Sequence, residues 1–292
     1  MSFYKLQFFI VELENRKMEK KENYSISADE IHIGKGVRIA DGVTISGGYD
    51  YATSKPIPAK KVVIGDGVFL ASNIEIICPS IEIGDYTMIR EHTMISGYQD
   101  AKIGSCCWIG QGCILNTHGG LTIGNGVGIG AGSQLWSHIR FGDTLEGCKW
   151  ESVAPMVVED DVWFVGHCLV SPIHAKAKSM AMLGSVITRD MEENHIYAGV
   201  PAKDITDKLG TQYEDVPVDK KYEVMTGQLE IFYKKNPQFP RSIRIVKDST
   251  NLEENDKTVF DVSNRTYTKR LTEEEIEFMK FLLVKIKFYP KQ

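Results

Sequence analysis

The sequence has no long hydrophobic run, no excess of positive charge and no cysteine pairs spaced for a metal site. No apolar stretch reaches the roughly 18 residues that a spanning helix needs, so we expect no transmembrane segment. The first residues, MSFYKLQFFIVELENRKMEKK, contain a short apolar run that is followed by charge and not by a small-residue cleavage site. We therefore expect no secretory signal and a cytoplasmic location.

The net charge of −5 also gives no general basic field that would attract nucleic acid or an anionic membrane. With six cysteines in a chain expected to be cytoplasmic, reduced structural thiols are the expectation, and not disulfides.

What the sequence does contain is a six-residue period in its aliphatic positions. Within each triplet of these anchors the spacing is six, and between triplets it is six plus an insertion of 13, 1, 2, 2 and 17 residues in turn. The anchors, triplet by triplet, are Ile33, Ile39 and Ile45; Ile64, Leu70 and Ile76; Ile83, Ile89 and Ile95; Ile103, Ile109 and Leu115; Ile123, Ile129 and Leu135; Val158, Phe164 and Val170.

A unit of six residues makes a short strand and a bend, and three units close one turn of a triangular coil. This period is typical of a parallel β-helix, in which each coil covers the inner residues of the next. Because the insertions fall only at every third join, all loops must leave from one edge of the prism, where we expect the functional site. The alternative, a β-sandwich, would show strands of period two joined at irregular lengths.

The period divides the chain into three parts. Residues 1–30 are predicted to cap the first coil, 31–205 to form the β-helix, and 206–292 to form a small α+β unit that ends in a helix. Thr272 is the expected N-cap of that helix, with Glu275 three residues later. The last coil is degenerate, because Ala175 or Lys176 and then Ala181 occupy positions where an aliphatic anchor is expected.

His138 is the candidate functional histidine. It lies three residues after Leu135, at the corner where the longest loop departs, and its ordinary pKa suits a base near neutral pH. His118 and Tyr98 have the same offset from their own anchors, so we expect the three side chains to stack along one edge. A solvated corner histidine is the alternative for His138, and His118 is the second candidate. No three-histidine pattern of the carbonic anhydrase type is present, so we expect no metal.

The stretches PMVVEDDVWFVGHCLV and GSVITRDMEENHIYAGVPAKDI carry a resemblance to a known family. They resemble the terminal coils of hexapeptide-repeat acetyltransferases, and they are most similar to the galactoside, maltose and sialic acid O-acetyltransferase branch. The resemblance implies a left-handed β-helix, acetyl-CoA as acetyl donor, and a homotrimer whose active sites lie in clefts between neighbouring chains.

The same resemblance implies roles for individual residues. His138 corresponds to the family's catalytic base, and Trp163 to an aromatic residue at the acceptor or thioester end of the cleft. The backbone of Gly166 corresponds to a contact to the pantetheine arm, and Gly184 and Ser185 lie where backbone groups of the protein meet the cofactor. Arg189 and Lys203 correspond to basic positions near the nucleotide phosphates. A bend glycine of the family is replaced here by Glu159.

An acidic residue is expected to orient the imidazole or to bind the acceptor. Asp143 and Glu151 are the candidates because both lie in the loop that follows His138, although either could be a solvated loop charge. Aromatic residues in the two long loops favour a carbohydrate acceptor, although aromatic residues also pack trimer interfaces. The predicted function is O-acetylation of a sugar or glycan hydroxyl. The alternatives are N-acetylation of an amino sugar nucleotide and a non-catalytic hexapeptide scaffold.

Overall fold

The computed structural model describes residues 23–50, 52–53, 55–249 and 257–291. Most of the predicted N-terminal cap, residues 1–22, lies outside the described residues. Among the described residues no helix combines the length and the apolar character needed to cross a membrane.

In the described part of the chain, three parallel sheets form the three faces of a prism. Face 1 consists of Ala28–Ile33, Ala59–Ile64, Ser80–Ile83, Ala101–Ile103, Leu121–Ile123, Met156–Val158 and His174–Ala175. Face 2 consists of Arg38–Ile39, Phe69–Leu70, Met88–Ile89, Trp108–Ile109, Gly128–Ile129, Trp163–Phe164, Met180–Ala181 and Ile196–Gly199, followed by the antiparallel Ala202–Asp204. Face 3 consists of Ser25–Ile26, Thr44–Ser46, Glu75–Ile77, Met94–Ser96, Ile114–Asn116, Gln134–Leu135, Leu169–Val170 and Val186–Ile187.

The register between coils places each anchor opposite the anchor of the next coil. Ile64 pairs with Ile83, and Ile83 pairs with Ile103. From Ile45 to Val170 the anchors are at most 2% exposed, so their side chains form one continuous inner core. The predicted parallel β-helix is therefore confirmed.

The long insertions leave from a single edge, as predicted. The chain runs from face 1 to face 2 to face 3, and the two long loops both lie between face 3 and face 1, which we name edge 3–1. Each loop contains an antiparallel hairpin: Gly48–Asp50 pairs with Lys55–Ile57, and His138–Arg140 pairs with Glu151–Val153. The other two edges, edge 1–2 and edge 2–3, are short turns.

The degenerate last coil keeps the register. Ala175 lies opposite Val158, Ala181 opposite Phe164, and Ile187 opposite Val170. Both alanines are fully buried. The prism thus continues through one further coil, in which two alanines stand where the earlier coils have larger anchors and Ile187 keeps the usual size.

The C-terminal residues form an α+β unit, as predicted, but a short strand follows its last helix, so the unit does not end in a helix. Its helices are Thr206–Leu209, Val218–Lys235 and Glu273–Leu282. Its four-stranded sheet contains Ile243–Val246, Thr258–Asp261, Thr266–Tyr267 and Tyr289–Pro290. Thr272 is the N-cap of the last helix, and its hydroxyl accepts the N–H of Glu275 at 3.2 Å. In a capping box the Glu275 carboxylate would accept the N–H of Thr272. Here it accepts the N–H groups of Arg270 and Leu271, at 2.8 and 3.2 Å.

The C-terminal unit packs on edge 1–2 of the prism. Tyr86 and Cys106 belong to turns of that edge, and both are buried in the apolar core of the C-terminal unit. The ammonium group of Lys269 lies between the carboxylates of Asp66 and Asp85, 2.6 Å from Asp85 Oδ2. Burial alone would lower the pKa of Lys269, but the two carboxylates outweigh burial and raise it.

The cysteines are all free thiols. Five of the six are buried and Cys148 is exposed. Burial raises the pKa of the Cys78 and Cys107 thiols to about 12, so both stay protonated at neutral pH. This agrees with the structural role expected for them.

Replacing Lys269 by Met tests how strongly the C-terminal unit is held. The substitution removes the cation that pairs with Asp66 and Asp85, whose side chains are only 11% and 10% exposed. We expect the free energy of unfolding in urea to fall by about 2 kcal/mol. Lys280→Met is the control, because Lys280 pairs with Glu277 at the surface and such pairs contribute about 0.3–0.5 kcal/mol. Equal losses in the two variants would contradict the prediction.

Candidate functional site

Three ring side chains form a stack along edge 3–1. Tyr98, His118 and His138 each lie three residues after an anchor, on successive coils. The ring centroids of Tyr98 and His118 are 4.4 Å apart in an edge-on arrangement. Those of His118 and His138 are 3.9 Å apart with the rings only 17° from parallel. The expected stacking is therefore confirmed. His92 has the same offset on edge 2–3, where it adopts the left-handed conformation (φ 59°).

A polar groove lies beside this stack. Its volume is about 410 Å³, and it lies between His118 and the base of the long hairpin, where Val153 pairs with His138. The residues that line it are Gln99, Asp100, His118, Thr122, Val153 and Pro155, with the intervening backbone. A groove with these amide, carboxylate and hydroxyl groups offers hydrogen bonds to a polar ligand.

Asn116 connects the two imidazoles, although no motif in the sequence points to it. Its Oδ1 lies 3.0 Å from His138 Nδ1, and its Nδ2 lies 2.9 Å from His118 Nδ1. Ser137 donates its hydroxyl to the same Oδ1 at 2.6 Å. Asn116 and Ser137 are buried at 3% and 0% exposure, so the contacts form away from bulk water. The one signal available was position, since Asn116 follows the anchor Leu115 directly on the loop-bearing edge.

The electrostatics of the stack keep His118 neutral. Burial lowers the pKa of His118, and the neighbouring imidazole of His138 lowers it further. At neutral pH the ring of His118 therefore carries no charge beside His138.

The two predicted acidic residues have other partners. Asp143 lies in the turn of the hairpin, where its carboxylate accepts the N–H of Leu145 at 2.8 Å. Glu151 lies on the second hairpin strand opposite Arg140, and their side chains form an exposed ion pair at 3.3 Å. The side-chain group against His138 Nδ1 is the neutral amide of Asn116.

Three positions predicted to contact the cofactor through their backbone, Gly166, Gly184 and Ser185, lie together on edge 2–3. Gly184 donates its N–H to the carbonyl of Gly166 at 2.9 Å. Gly184 has φ 71°, and a Cβ added to it would meet no atom within 4 Å, so its backbone faces open space. The neighbouring Ser185 is fully buried, and its hydroxyl has no hydrogen-bond partner among the described residues. An open backbone of this kind fits the amide-bearing arm of coenzyme A, whereas the enclosed Ser185 hydroxyl is out of reach of a bound ligand.

The remaining predicted cofactor residues are spread over the end of the prism. Trp163 lies on face 2 between Gly128 and Met180 and is 45% exposed. Arg189 follows the last face 3 strand, and Lys203 lies in the antiparallel strand opposite Ala198. Both basic residues are exposed. Face 3 separates Gly166 and Gly184 from His138, so one chain does not bring the two groups of residues together.

Metal ligation has no candidate in the part of the chain that the structure describes. No group of three or more histidine, cysteine, aspartate or glutamate residues there is arranged to hold an ion.

The lowered pKa of His118 predicts how stability depends on pH. The unfolded chain takes up a proton at His118 near the ordinary pKa of 6.5, whereas the folded chain does so only at lower pH. Below about pH 6.5 the protein should therefore lose stability relative to a His118→Phe variant, which has no such group. Urea unfolding of both proteins between about pH 8 and pH 5 measures this. A difference that stays constant across the range would contradict the prediction.

No protein-family model matches the chain. Among solved structures, it is similar to a hexapeptide-repeat acetyltransferase from Vibrio cholerae O1 biovar eltor complexed with acetyl coenzyme A, at 19% identity over 52% of this chain and 71% of that chain, with a TM-score of 0.37. It is also similar to a maltose O-acetyltransferase from Clostridium difficile 630, at 20% identity over 52% and 70% of the two chains, with a TM-score of 0.37. An N-acyltransferase from Bacillus cereus in complex with dTDP and 3-hydroxybutyryl-CoA matches at 18% identity over 66% and 100%, with a TM-score of 0.46. Acetyltransferases with hexapeptide repeats are thus among the solved structures to which this chain is similar.

Proposed function

We propose that the protein transfers an acetyl group from acetyl-CoA to a hydroxyl of a sugar or glycan, with His138 as general base. The observation that carries this proposal is the placement of His138 at the loop-bearing edge, with its Nδ1 held by Asn116 at 3.0 Å. An imidazole fixed through one nitrogen leaves the other free to take a proton. The polar groove beside the stacked ring of His118 is the place for a hydroxyl-rich acceptor.

In the proposed reaction, His138 Nε2 takes the proton of the acceptor hydroxyl while the hydroxyl oxygen attacks the thioester carbonyl carbon. Acetyl-CoA supplies the acetyl group, and its C–S bond breaks as the new C–O bond forms. The protonated His138 then returns the proton to the leaving thiolate, so the base is regenerated. General-base catalysis of this kind contributes about 10²–10⁴-fold to the rate.

Gly166, Gly184 and Ser185 are proposed to meet coenzyme A through their backbone, with Gly166 at the pantetheine arm. Gly184 faces open space on this edge. Arg189 and Lys203 are proposed to meet the phosphates of coenzyme A, since both side chains are exposed and neither forms an ion pair within the described residues. Charged hydrogen bonds from Arg and Lys are the usual means of binding phosphate.

We also propose a homotrimer with its active sites between chains. His138 and the edge 2–3 residues lie on opposite sides of face 3, so a cleft that uses both needs two chains. The hairpin after His138 carries the strongly exposed Phe141, Leu145 and Trp150. Face 2 exposes Trp108 and Trp163, with Gly128 on the strand between them. Exposed apolar groups of this extent mark contact surfaces.

Release of free thiol from acetyl-CoA, measured against sugars, glycans and sugar nucleotides, tests the activity. Hydroxyl acceptors should be acetylated, whereas turnover of amino sugar nucleotides alone would favour N-acetylation. A protein that neither binds nor consumes acetyl-CoA would be the non-catalytic scaffold.

His138→Asn should lower turnover by about 10²–10⁴-fold while leaving acetyl-CoA binding unchanged, because the base is lost and the cofactor contacts remain. His92→Asn is the matched control. It makes the same change at the same offset on edge 2–3, at a left-handed position that asparagine tolerates. Steady-state kinetics and calorimetric binding separate the two effects. Full turnover in His138→Asn would exclude this residue as the base.

A mixing experiment tests whether the sites lie between chains. His138→Asn and Trp163→Glu should each be inactive, because one removes the base and the other replaces the aromatic ring proposed at the acceptor or thioester end of the cleft by a charged carboxylate. After co-refolding in equal amounts, about one quarter of the clefts would combine an intact His138 edge with an intact Trp163 face from different chains. Recovery of about that fraction of activity is expected, and the separate variants are the controls. No recovery in mixed trimers would place the whole site within one chain.

A further inference from the structure

The backbone groups around the Asn116 amide determine which of its two ends is the oxygen. Each of these groups can only donate or only accept a hydrogen bond. Its Oδ1 faces the backbone N–H groups of His118 and Ser137, at 3.2 and 3.4 Å, and these groups can only donate. Its Nδ2 faces the carbonyl of Ser96 at 3.3 Å, which can only accept. Rotating the amide by half a turn would set donor against donor and acceptor against acceptor. The fold thus permits a single assignment of the amide oxygen and nitrogen.

This assignment determines the protons on both imidazoles. His138 Nδ1 faces the amide oxygen at 3.0 Å and must carry a proton to form that hydrogen bond. His118 Nδ1 faces the amide NH₂ at 2.9 Å and must have a free lone pair. A neutral imidazole carries one proton, so in His138 the lone pair is on Nε2, and in His118 the proton is on Nε2.

We propose that Asn116 is a positioning residue that holds the two histidines in opposite tautomers, with His138 Nε2 as proton acceptor and His118 Nε2–H as hydrogen-bond donor. Both Nδ1 atoms converge on one amide and the rings are nearly parallel, so both Nε2 atoms lie on the side away from Asn116. The proton-accepting Nε2 of His138 and the proton-bearing Nε2 of His118 are then about as far apart as the two rings. The chemical use of this pair rests on the proposed acetyltransferase function, but the tautomers do not.

The site therefore fits an acceptor that gives a proton at one oxygen and accepts a hydrogen bond at a second, adjacent polar atom. His118 becomes part of the site through its Nε2–H, and its lowered pKa keeps it in the neutral form that the network requires. Ser137 holds the Asn116 amide in place, because its hydroxyl donates to Asn116 Oδ1 and accepts the N–H of Gly119 at 3.0 Å.

Nuclear magnetic resonance of the full chain labelled with ¹⁵N at histidine tests the proposal directly. Long-range proton–nitrogen correlations distinguish the two tautomers, and the signals are assigned with the His118→Phe and His138→Asn variants. We expect His138 protonated on Nδ1 and His118 protonated on Nε2. The same tautomer in both rings, or His138 protonated on Nε2, would overturn the proposal.

Asn116→Asp tests the positioning role without changing the shape of the side chain. A carboxylate can only accept, so His118 should switch its proton to Nδ1. The titration midpoint of His138 should also rise by about 1 pH unit or more, because a negative charge replaces a neutral amide. Asn73→Asp is the control, since it adds the same charge at an exposed position of edge 2–3. A merely structural Asn116 would leave the tautomer of His118 as it is in the unmodified protein.

The two proposals fail separately. Opposite tautomers in a protein that does not use acetyl-CoA would reject the acetyltransferase function and keep the role of Asn116. An active acetyltransferase in which both histidines have the same tautomer would reject the role of Asn116 and keep the acetyltransferase function.

Discussion

The structure depends on the parallel register between successive coils. Each position of a coil pairs with the same position of the next, so any residue type that recurs at one offset becomes a ladder along the prism. Inside, this produces the aliphatic core, in which each coil covers its neighbour and no coil is stable alone. At the corners the same register stacks polar and aromatic groups. The rings of Tyr98, His118 and His138 are therefore in contact although about twenty residues separate each from the next.

The three edges of the prism serve different purposes. Edge 1–2 carries carboxylates that bind cations of the C-terminal unit: Lys269 lies between Asp66 and Asp85, and Arg265 donates to Asp161 Oδ1 at 3.0 Å. Edge 2–3 carries the open backbone of Gly184. In the described part of the chain, the two long loops both leave from edge 3–1. The candidate base lies on the edge where the repeat tolerates insertions, and the C-terminal unit occupies another edge.

Much of this could be predicted from the positions of a few residues. Counting from the anchors was sufficient to place His118 and His138 on one edge and His92 on another, because an offset in the repeat is a position in space. It could not identify Asn116, whose role arises from groups on three coils: Ser96, His118 and Ser137. It also could not say where Asp143 and Glu151 would point, because hairpin pairing sets Glu151 beside Arg140 and the loop turn binds Asp143.

The sequence by itself determined the coil, its register and the edge that carries the loops, because a six-residue period leaves the chain only one way to bury its aliphatic residues. It also determined the C-terminal helix, since Thr272 provides the N-cap locally. Only the tertiary structure decided that the C-terminal unit binds edge 1–2, and that one amide lies between two histidines. These features depend on the directions of side chains from distant segments, and a hydrogen bond forms only where both partners meet at the right distance and angle.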